Sequence, residues 1–116
     1  MTDQVPEVDA QIVNAWLTSG IAVLIDVRET SEYEYEHVPG ALLHPLSFLD
    51  PITFPVIAEK KVVLMCQVGK RSMAAAKQLM KSGYPAPVNL EGGLNAWREA
   101  SLETEGARFE TEDFSI

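Results

Sequence analysis

The segment that decides the fold is residues 62–72, which read Val62-Val63-Leu64-Met65-Cys66-Gln67-Val68-Gly69-Lys70-Arg71-Ser72. Its first four residues form a short apolar run, which is typical of a strand buried on both faces of a parallel sheet. The only cysteine of the chain follows, and then a short loop that contains Gly69. Residues 71–81 are rich in alanine and are followed by Ser82-Gly83, so they are predicted to form a helix. The sequence therefore places its cysteine in a loop between a buried strand and a helix.

The rest of the chain alternates helix-like and strand-like segments in the same way. The hydrophobic spacing predicts a helix from Asp9 to Leu17, and Gly92-Gly93 begins a last helix that runs through Arg98. A short helix is predicted at Ser31-Glu32-Tyr33-Glu34, which fits the capping-box pattern. Further strands are predicted at residues 22–27, 41–43 and 88–90. Strands that alternate with helices form βαβ units, so the expected fold class is α/β with an open parallel sheet.

Composition indicates one acidic domain over residues 1–116. The chain has 9 Lys and Arg against 17 Asp and Glu, and its net charge of −8 argues against nucleic-acid binding as its main role. Basic residues without any acid are nevertheless concentrated between residues 60 and 81: Lys60, Lys61, Lys70, Arg71, Lys77 and Lys81. Only Lys70 and Arg71 are predicted to lie beside Cys66, because the other four are at the far ends of the strand and the helix.

Cysteine and histidine counts exclude two kinds of site. One cysteine cannot form an internal disulfide, and one cysteine with two histidines is too few for a structural zinc site, so no metal is expected. The longest aliphatic stretch, Ile21 to Ile25, is far too short to span a membrane, and the N-terminus lacks a secretory signal pattern. We therefore expect a cytoplasmic protein with no membrane partner, in a reducing compartment where the thiol stays free.

The surroundings of Cys66 favour a reactive thiolate. Ligands of α/β sheets bind beyond the carboxyl ends of the strands. Backbone amides of the loop and the first helical turn have no internal partners, so they form an anion-binding cradle that also stabilises a thiolate. Gly69 allows the backbone to curl, and Lys70 and Arg71 add positive charge. The alternative is an inert core cysteine, since free cysteine is among the most buried residue types.

Loop length separates this segment from a phosphatase loop. The phosphatase family pattern has five residues between the cysteine and an arginine that together surround a phosphoryl group. Here only four residues separate Cys66 from Arg71, and Ser72 follows. The tighter loop suits a smaller species on the cysteine, such as a terminal sulfur atom.

Four motifs in order resemble those of the single-domain rhodanese family of thiosulfate sulfurtransferase-like proteins. They are Asp26-Val27-Arg28, His37-Val38-Pro39-Gly40-Ala41, Cys66-x-x-Gly69-x-Arg71-Ser72 and Leu90-x-Gly92-Gly93-x-x-Ala96-Trp97. The resemblance covers about residues 8–98. It implies a three-layer fold, with a central parallel sheet and helices on both faces, and transfer of sulfane sulfur through a persulfide on Cys66. Glu36 stands where a small residue is commoner in the family, a departure with no expected chemical consequence.

The resemblance also implies the mechanism and the partners. The Cys66 thiolate attacks the outer sulfur of an anionic donor such as thiosulfate, and the persulfide is held by the loop residues Gln67, Val68, Gly69, Lys70, Arg71 and Ser72. A thiophilic acceptor, such as cyanide, a thiol or an acceptor protein, then removes the sulfur, and no cofactor is needed. Gln67, Val68 and Lys70 differ from the loop signatures of tandem enzymes that prefer thiosulfate or mercaptopyruvate, so the donor stays open. A sulfur-relay carrier, a non-catalytic binding module and a phosphatase or arsenate-reductase relative are the alternatives.

Three further motif residues are expected to be structural. Asp26 is predicted to accept loop amides, Arg28 to pair with a local acid such as Glu32, and His37 to anchor its turn by hydrogen bonds. The acids Glu32, Glu34 and Glu36 are expected to form a solvated edge, with neither a catalytic carboxylate pair nor a metal site. His44 carries no motif. The acidic tail, residues 101–116 with Phe109 and Phe114, leaves open whether it packs on the domain.

Overall fold

Five parallel strands form the centre of the protein in a computed structural model that describes residues 4–110. The strands are β1 (Glu7–Val8), β2 (Ala22–Asp26), β3 (Leu42–Leu43), β4 (Lys61–Met65) and β5 (Val88–Leu90). They lie in the order β1-β5-β4-β2-β3, and every neighbouring pair is parallel. The strands predicted from the sequence are confirmed to within one residue at each end. The two-residue edge strand β1 was not predicted, because it is too short to produce a periodic pattern.

The helices also lie close to their predicted positions. They are α1 (Ala10–Thr18), α2 (Thr30–Tyr35), α3 (Lys70–Lys81) and α4 (Gly93–Glu99). Only the cap of α2 was wrong. The helix begins one residue earlier than Ser31, and its capping box joins Glu29 to Glu32, whose Oε1 accepts the Glu29 amide at 3.0 Å. Glu32 occupies the third helical position, so the residue three before it is the cap, although serine is the commoner residue there.

Helices cover both faces of the sheet, which confirms the expected α/β architecture. Because successive strand side chains point to opposite faces, the buried residues divide into two clusters. Helix α3 contributes Ala75, Ala76 and Leu79 to one cluster, which also contains Ile25, Val62, Leu64 and Cys66. Helices α1 and α4 contribute Val13, Leu94 and Trp97 to the other, which also contains Leu24, Val63, Met65 and Leu90.

The C-terminal segment, residues 101–110, folds back onto α2 and α4. Glu105 and His37 exchange two backbone hydrogen bonds, at 2.8 and 2.9 Å, and the Trp97 indole donates to the Glu103 carbonyl at 2.8 Å. The tail whose packing the sequence left open is therefore packed on the domain as far as Arg108, which pairs with Glu36, whereas Phe109 is exposed and Phe114 lies outside the described residues. Within residues 4–110 no helix combines the length and apolar character needed to cross a bilayer.

Candidate active site

The candidate site is built on the turn from β4 into α3. Cys66 directly follows the last residue of β4, and its sulfur accepts three hydrogen bonds from the beginning of α3. The Gly69 amide lies 3.1 Å from Sγ, and the Ser72 amide and Ser72 hydroxyl each lie 3.3 Å from it. Gly69 starts the helix with a φ of +100°, which is strained for any residue with a side chain. The loop therefore directs two amides and one hydroxyl to the sulfur.

These contacts control the ionisation of the thiol. Cys66 is fully buried, and burial alone raises the pKa of a thiol because it disfavours the charged form. Hydrogen bonds from the Ser72 hydroxyl and from the amides of Ser72, Gly69 and Val68 outweigh burial, and the pKa of Cys66 lies below its ordinary value of 9.0. An inert core cysteine would lack such donors. The arrangement favours a thiolate nucleophile.

Helix α4 fixes the other side of the loop. The amides of Leu94 and Asn95 donate to the carbonyls of Cys66 and Gln67 at 2.9 and 3.1 Å. This approach requires Gly93, because a Cβ there would lie 2.3 Å from the Cys66 carbonyl oxygen. The double-glycine motif thus brings the beginning of α4 against the backbone of the cysteine loop.

The side chains of the remaining loop residues make no hydrogen bond to the sulfur within residues 4–110. Gln67 accepts a hydrogen bond from Arg28 Nη1 at 3.1 Å and donates to Asn95 Oδ1 at 2.7 Å, so its side chain links the segment after β2 to α4. Val68 and Lys70 are exposed at the surface of the loop. Of the six predicted loop residues, Gly69 and Ser72 donate the three hydrogen bonds of 3.1–3.3 Å to Sγ, and the Val68 amide also helps to lower the pKa of Cys66.

Arg71 is held at the rim of the site by Glu32. Its two terminal nitrogens lie 2.9 and 3.0 Å from the two Glu32 oxygens. This paired arginine lowers the pKa of Glu32 to about 2, and Glu32 in turn raises the pKa of Arg71, to which the Cys66 thiolate also contributes. The prediction that Arg28 pairs with Glu32 was wrong, since Glu32 faces α3 across the site.

Arg28 pairs with Asp26 instead. Its Nε and Nη2 atoms lie 3.0 and 2.9 Å from the carboxylate, and both side chains are buried. A buried carboxylate needs a charged partner, and the nearest arginine supplies it. Asp26 also accepts the Arg28 amide at 3.0 Å, a loop amide as predicted. Because Arg28 also donates to Gln67, this buried pair is connected to the cysteine loop.

His37 anchors the end of α2. Its ring nitrogens lie 2.6 Å from the Tyr33 carbonyl and 3.0 Å from a Glu105 carboxylate oxygen, and the ring stacks on Tyr33 at 3.9 Å. These are the hydrogen bonds of a structural histidine. The His44 ring packs edge-on against the Phe54 ring, with the two ring centroids 4.7 Å apart, so His44 is also a packing residue. Within residues 4–110 no group of three or more His, Cys, Asp or Glu side chains is arranged to hold a metal ion.

The expected solvated edge of acids was wrong at Glu36. This side chain is buried, accepts the Thr104 hydroxyl at 2.7 Å and Arg108 Nη1 at 2.9 Å, and lies 3.6 Å from Arg98 Nε. Sequence reasoning missed both arginines, because Arg108 is 72 positions away in the chain. The one signal in the sequence was Glu36 itself, an acid at a position where the family that the chain resembles commonly has a small residue.

Comparison with known proteins agrees with this geometry. Residues 9–100 match the family model described as "Rhodanese-like domain". The uncharacterized protein slr1261 of Synechocystis sp. is 44% identical over 82 residues, which are 71% of this chain and 46% of that protein. The putative sulfur carrier protein YrkF of Bacillus subtilis is 28% identical over 94 residues, which are 80% of this chain and 51% of that protein. The chain thus spans about half the length of these curated relatives.

A solved structure shows the same fold. The thiosulfate sulfurtransferase of Pseudomonas aeruginosa superposes with a TM-score of 0.75 and 26% sequence identity. The superposition covers 88% of this chain and 20% of that one.

Proposed function

The chain belongs to the rhodanese-like domain family, whose members are generally sulfurtransferases, and we propose that it transfers sulfane sulfur through a persulfide on Cys66. The donor in this proposal is a small anion such as thiosulfate, and the acceptor is a thiophile such as cyanide or a thiol. The setting is the cytoplasm, because a reducing compartment keeps a lone thiol unpaired.

The observation that carries the proposal is the convergence of three hydrogen-bond donors on the Cys66 sulfur. Donors fixed at a helix N-terminus stabilise a thiolate and, after transfer, the negative charge of a persulfide. Because the thiolate is already favoured, no general base is needed to form the nucleophile. The machinery therefore consists of the cysteine, the loop amides and the Ser72 hydroxyl.

The reaction has two balanced steps. The Cys66 thiolate attacks the outer sulfur of thiosulfate, a new S–S bond forms, the S–S bond of the donor breaks, and sulfite leaves with the electron pair. The acceptor then attacks the outer sulfur of the persulfide, and Cys66 leaves as a thiolate. With cyanide the product is thiocyanate. No external oxidant or reductant enters either step.

A sulfur-relay carrier is the second candidate function. The similarity to a protein described as a putative sulfur carrier supports it, and the same loop serves both roles. The two differ in the donor: an enzyme of the thiosulfate type loads from thiosulfate itself, whereas a carrier loads from another persulfide. Retention of Cys66 counts against a non-catalytic module, and the four-residue spacing to Arg71 counts against a phosphatase.

Intact mass spectrometry tests the proposal. We expect incubation with thiosulfate to add the mass of one sulfur atom to the wild-type protein, and subsequent cyanide to remove it and yield thiocyanate. Cys66→Ser is the matched control and should take up nothing. Loading from a small-molecule persulfide but not from thiosulfate would favour the relay carrier. No adduct from either donor would refute both, and Cys66-dependent hydrolysis of an aryl phosphate would favour the phosphatase alternative.

A further inference from the structure

A polar cavity of about 360 Å³ opens beside the cysteine loop, on the side of α2 and α4. Its walls include Gln67 of the loop and three arginines, Arg28, Arg98 and Arg108. Leu94, whose amide binds the Cys66 carbonyl, forms part of the same wall. The cavity therefore lies next to the cysteine loop, with Gln67, the neighbour of Cys66, in its wall, and its volume suits a small molecule.

The cavity carries one positive charge in excess. Arg28 is neutralised by Asp26, and Glu32 is neutralised by Arg71. Two cations, Arg98 and Arg108, then share the single carboxylate of Glu36. Burial raises the pKa of Glu36, but hydrogen bonds from Thr104 and Arg108 outweigh it and hold the pKa below its ordinary value.

Both arginines also remain accessible. The Arg98 side chain is 47% exposed and the Arg108 side chain is 31% exposed, whereas Glu36 is 6% exposed. Glu36 contacts Arg98 through Nε and Arg108 through Nη1. Each guanidinium has five N–H donors, so this contact leaves donors for a second anion. In a chain of net charge −8, this is a local site of the opposite sign.

Arg108 belongs to the C-terminal segment, which lies beyond residues 9–100, the part of the chain that matches the family model. The segment is held by the backbone pairing of Glu105 with His37 and by the Thr104 hydroxyl bond to Glu36. The second arginine of the cavity thus comes from outside the residues that match the family model.

We propose that this cavity is a binding subsite for the sulfur acceptor, and that the acceptor is a small thiol that carries a carboxylate. The inference rests on the proposed function, because it supplies the molecule that removes the sulfur from Cys66. Guanidinium groups match carboxylates in geometry and charge, and one excess positive charge suits a monoanion. The loop amides already provide the anion site for the donor, so the cavity is left for the acceptor.

The transfer step balances without another reactant. The acceptor thiolate attacks the outer sulfur of the Cys66 persulfide while Arg98 and Arg108 hold its carboxylate. A new S–S bond forms between acceptor and outer sulfur, and the S–S bond to Cys66 breaks. Cys66 recovers the electron pair as a thiolate, and the product is the persulfide of the acceptor.

Kinetics with two matched thiols tests this subsite. The protein is loaded with sulfur and then reacted with 3-mercaptopropionate, which is anionic, or with neutral 2-mercaptoethanol. We expect the preference for the anionic thiol, the ratio of the two kcat/KM values, to fall by about 5- to 30-fold in Arg98→Gln, the factor that corresponds to a loss of about 1–2 kcal/mol. Arg108→Lys keeps the charge and should retain most of the preference. Lys77→Gln, an exposed change on α3, is the control and should retain it fully.

A binding measurement separates this inference from the proposed function. S-methyl-3-mercaptopropionate cannot accept sulfur, so its binding to Cys66→Ser protein, followed by NMR shifts, requires no transfer. We expect saturable shifts at the cavity that are weakened by Arg98→Gln, even if thiosulfate loading fails. Absence of such binding, an equal loss of rate with both thiols, or an effect confined to the thiosulfate step would overturn the acceptor subsite.

Discussion

Replacement of Ser72 by alanine isolates one of the three donors to the Cys66 sulfur. The hydroxyl lies 3.3 Å from Sγ in a fully buried position, and alanine removes it while keeping the Ser72 amide at 3.3 Å and the Gly69 amide at 3.1 Å. The change is small in volume and leaves α3 a good helix former. It therefore perturbs the stabilisation of the thiolate more than the fold.

The size of the effect follows from the kind of bond that is lost. A hydrogen bond to a charged acceptor contributes about 1.5–3 kcal/mol. Since two amide donors remain, we take the lower end, and at 1.36 kcal/mol per unit the pKa of Cys66 should rise by about one unit. At a fixed pH below that pKa, the fraction of Cys66 present as thiolate should then fall by up to about tenfold, and the rate of sulfur loading should fall with it.

The assay is a titration of thiolate ultraviolet absorbance against pH, with Cys66→Ser as the baseline. Absorbance is preferred to alkylation because the sulfur is buried. Ser82→Ala, an exposed change beyond the other end of α3, is the control and should leave the titration unchanged. An unshifted pKa in a folded Ser72→Ala protein, with loading unchanged, would show that the amides alone stabilise the thiolate and would refute the role given to the hydroxyl.

Three further predictions concern the rim and the support of the loop. Arg71→Ala should raise the KM for thiosulfate by about 5- to 30-fold with a smaller effect on stability, because one charge at the rim is lost; unchanged steady-state kinetics would show that the amides alone hold the anion. The folded pKa of Glu32, about 2, lies below its ordinary value of 4.5. The stabilisation from its pair with Arg71 is therefore complete above pH 4.5 and is lost as the pH falls towards 2. In Glu32→Gln, the free energy of unfolding should depend less on pH over this range than it does in the wild-type protein. Gly93→Ala should destabilise the protein by about 3 kcal/mol or more in urea unfolding, since its Cβ would lie 2.3 Å from the Cys66 carbonyl oxygen; wild-type stability would contradict the close packing of α4 on the loop.

The parts of the site that are local in sequence were predictable. A buried strand, a cysteine, a glycine and a helix follow one another within residues 62–72, so their order alone indicated the loop and its donors. The pairing of Arg71 with Glu32 was not predictable, because it joins residues 39 positions apart that meet only when the chain has folded. Glu36 was misplaced for the same reason, since its partner Arg108 is 72 positions away.

The central claim is that Cys66 carries the transferred sulfur, and the most direct test is the intact mass of the protein after incubation with thiosulfate. We predict a gain of one sulfur atom that maps to Cys66, is removed by cyanide and is absent in Cys66→Ser. A wild-type protein that gains no sulfur from thiosulfate or from any persulfide donor would contradict the claim.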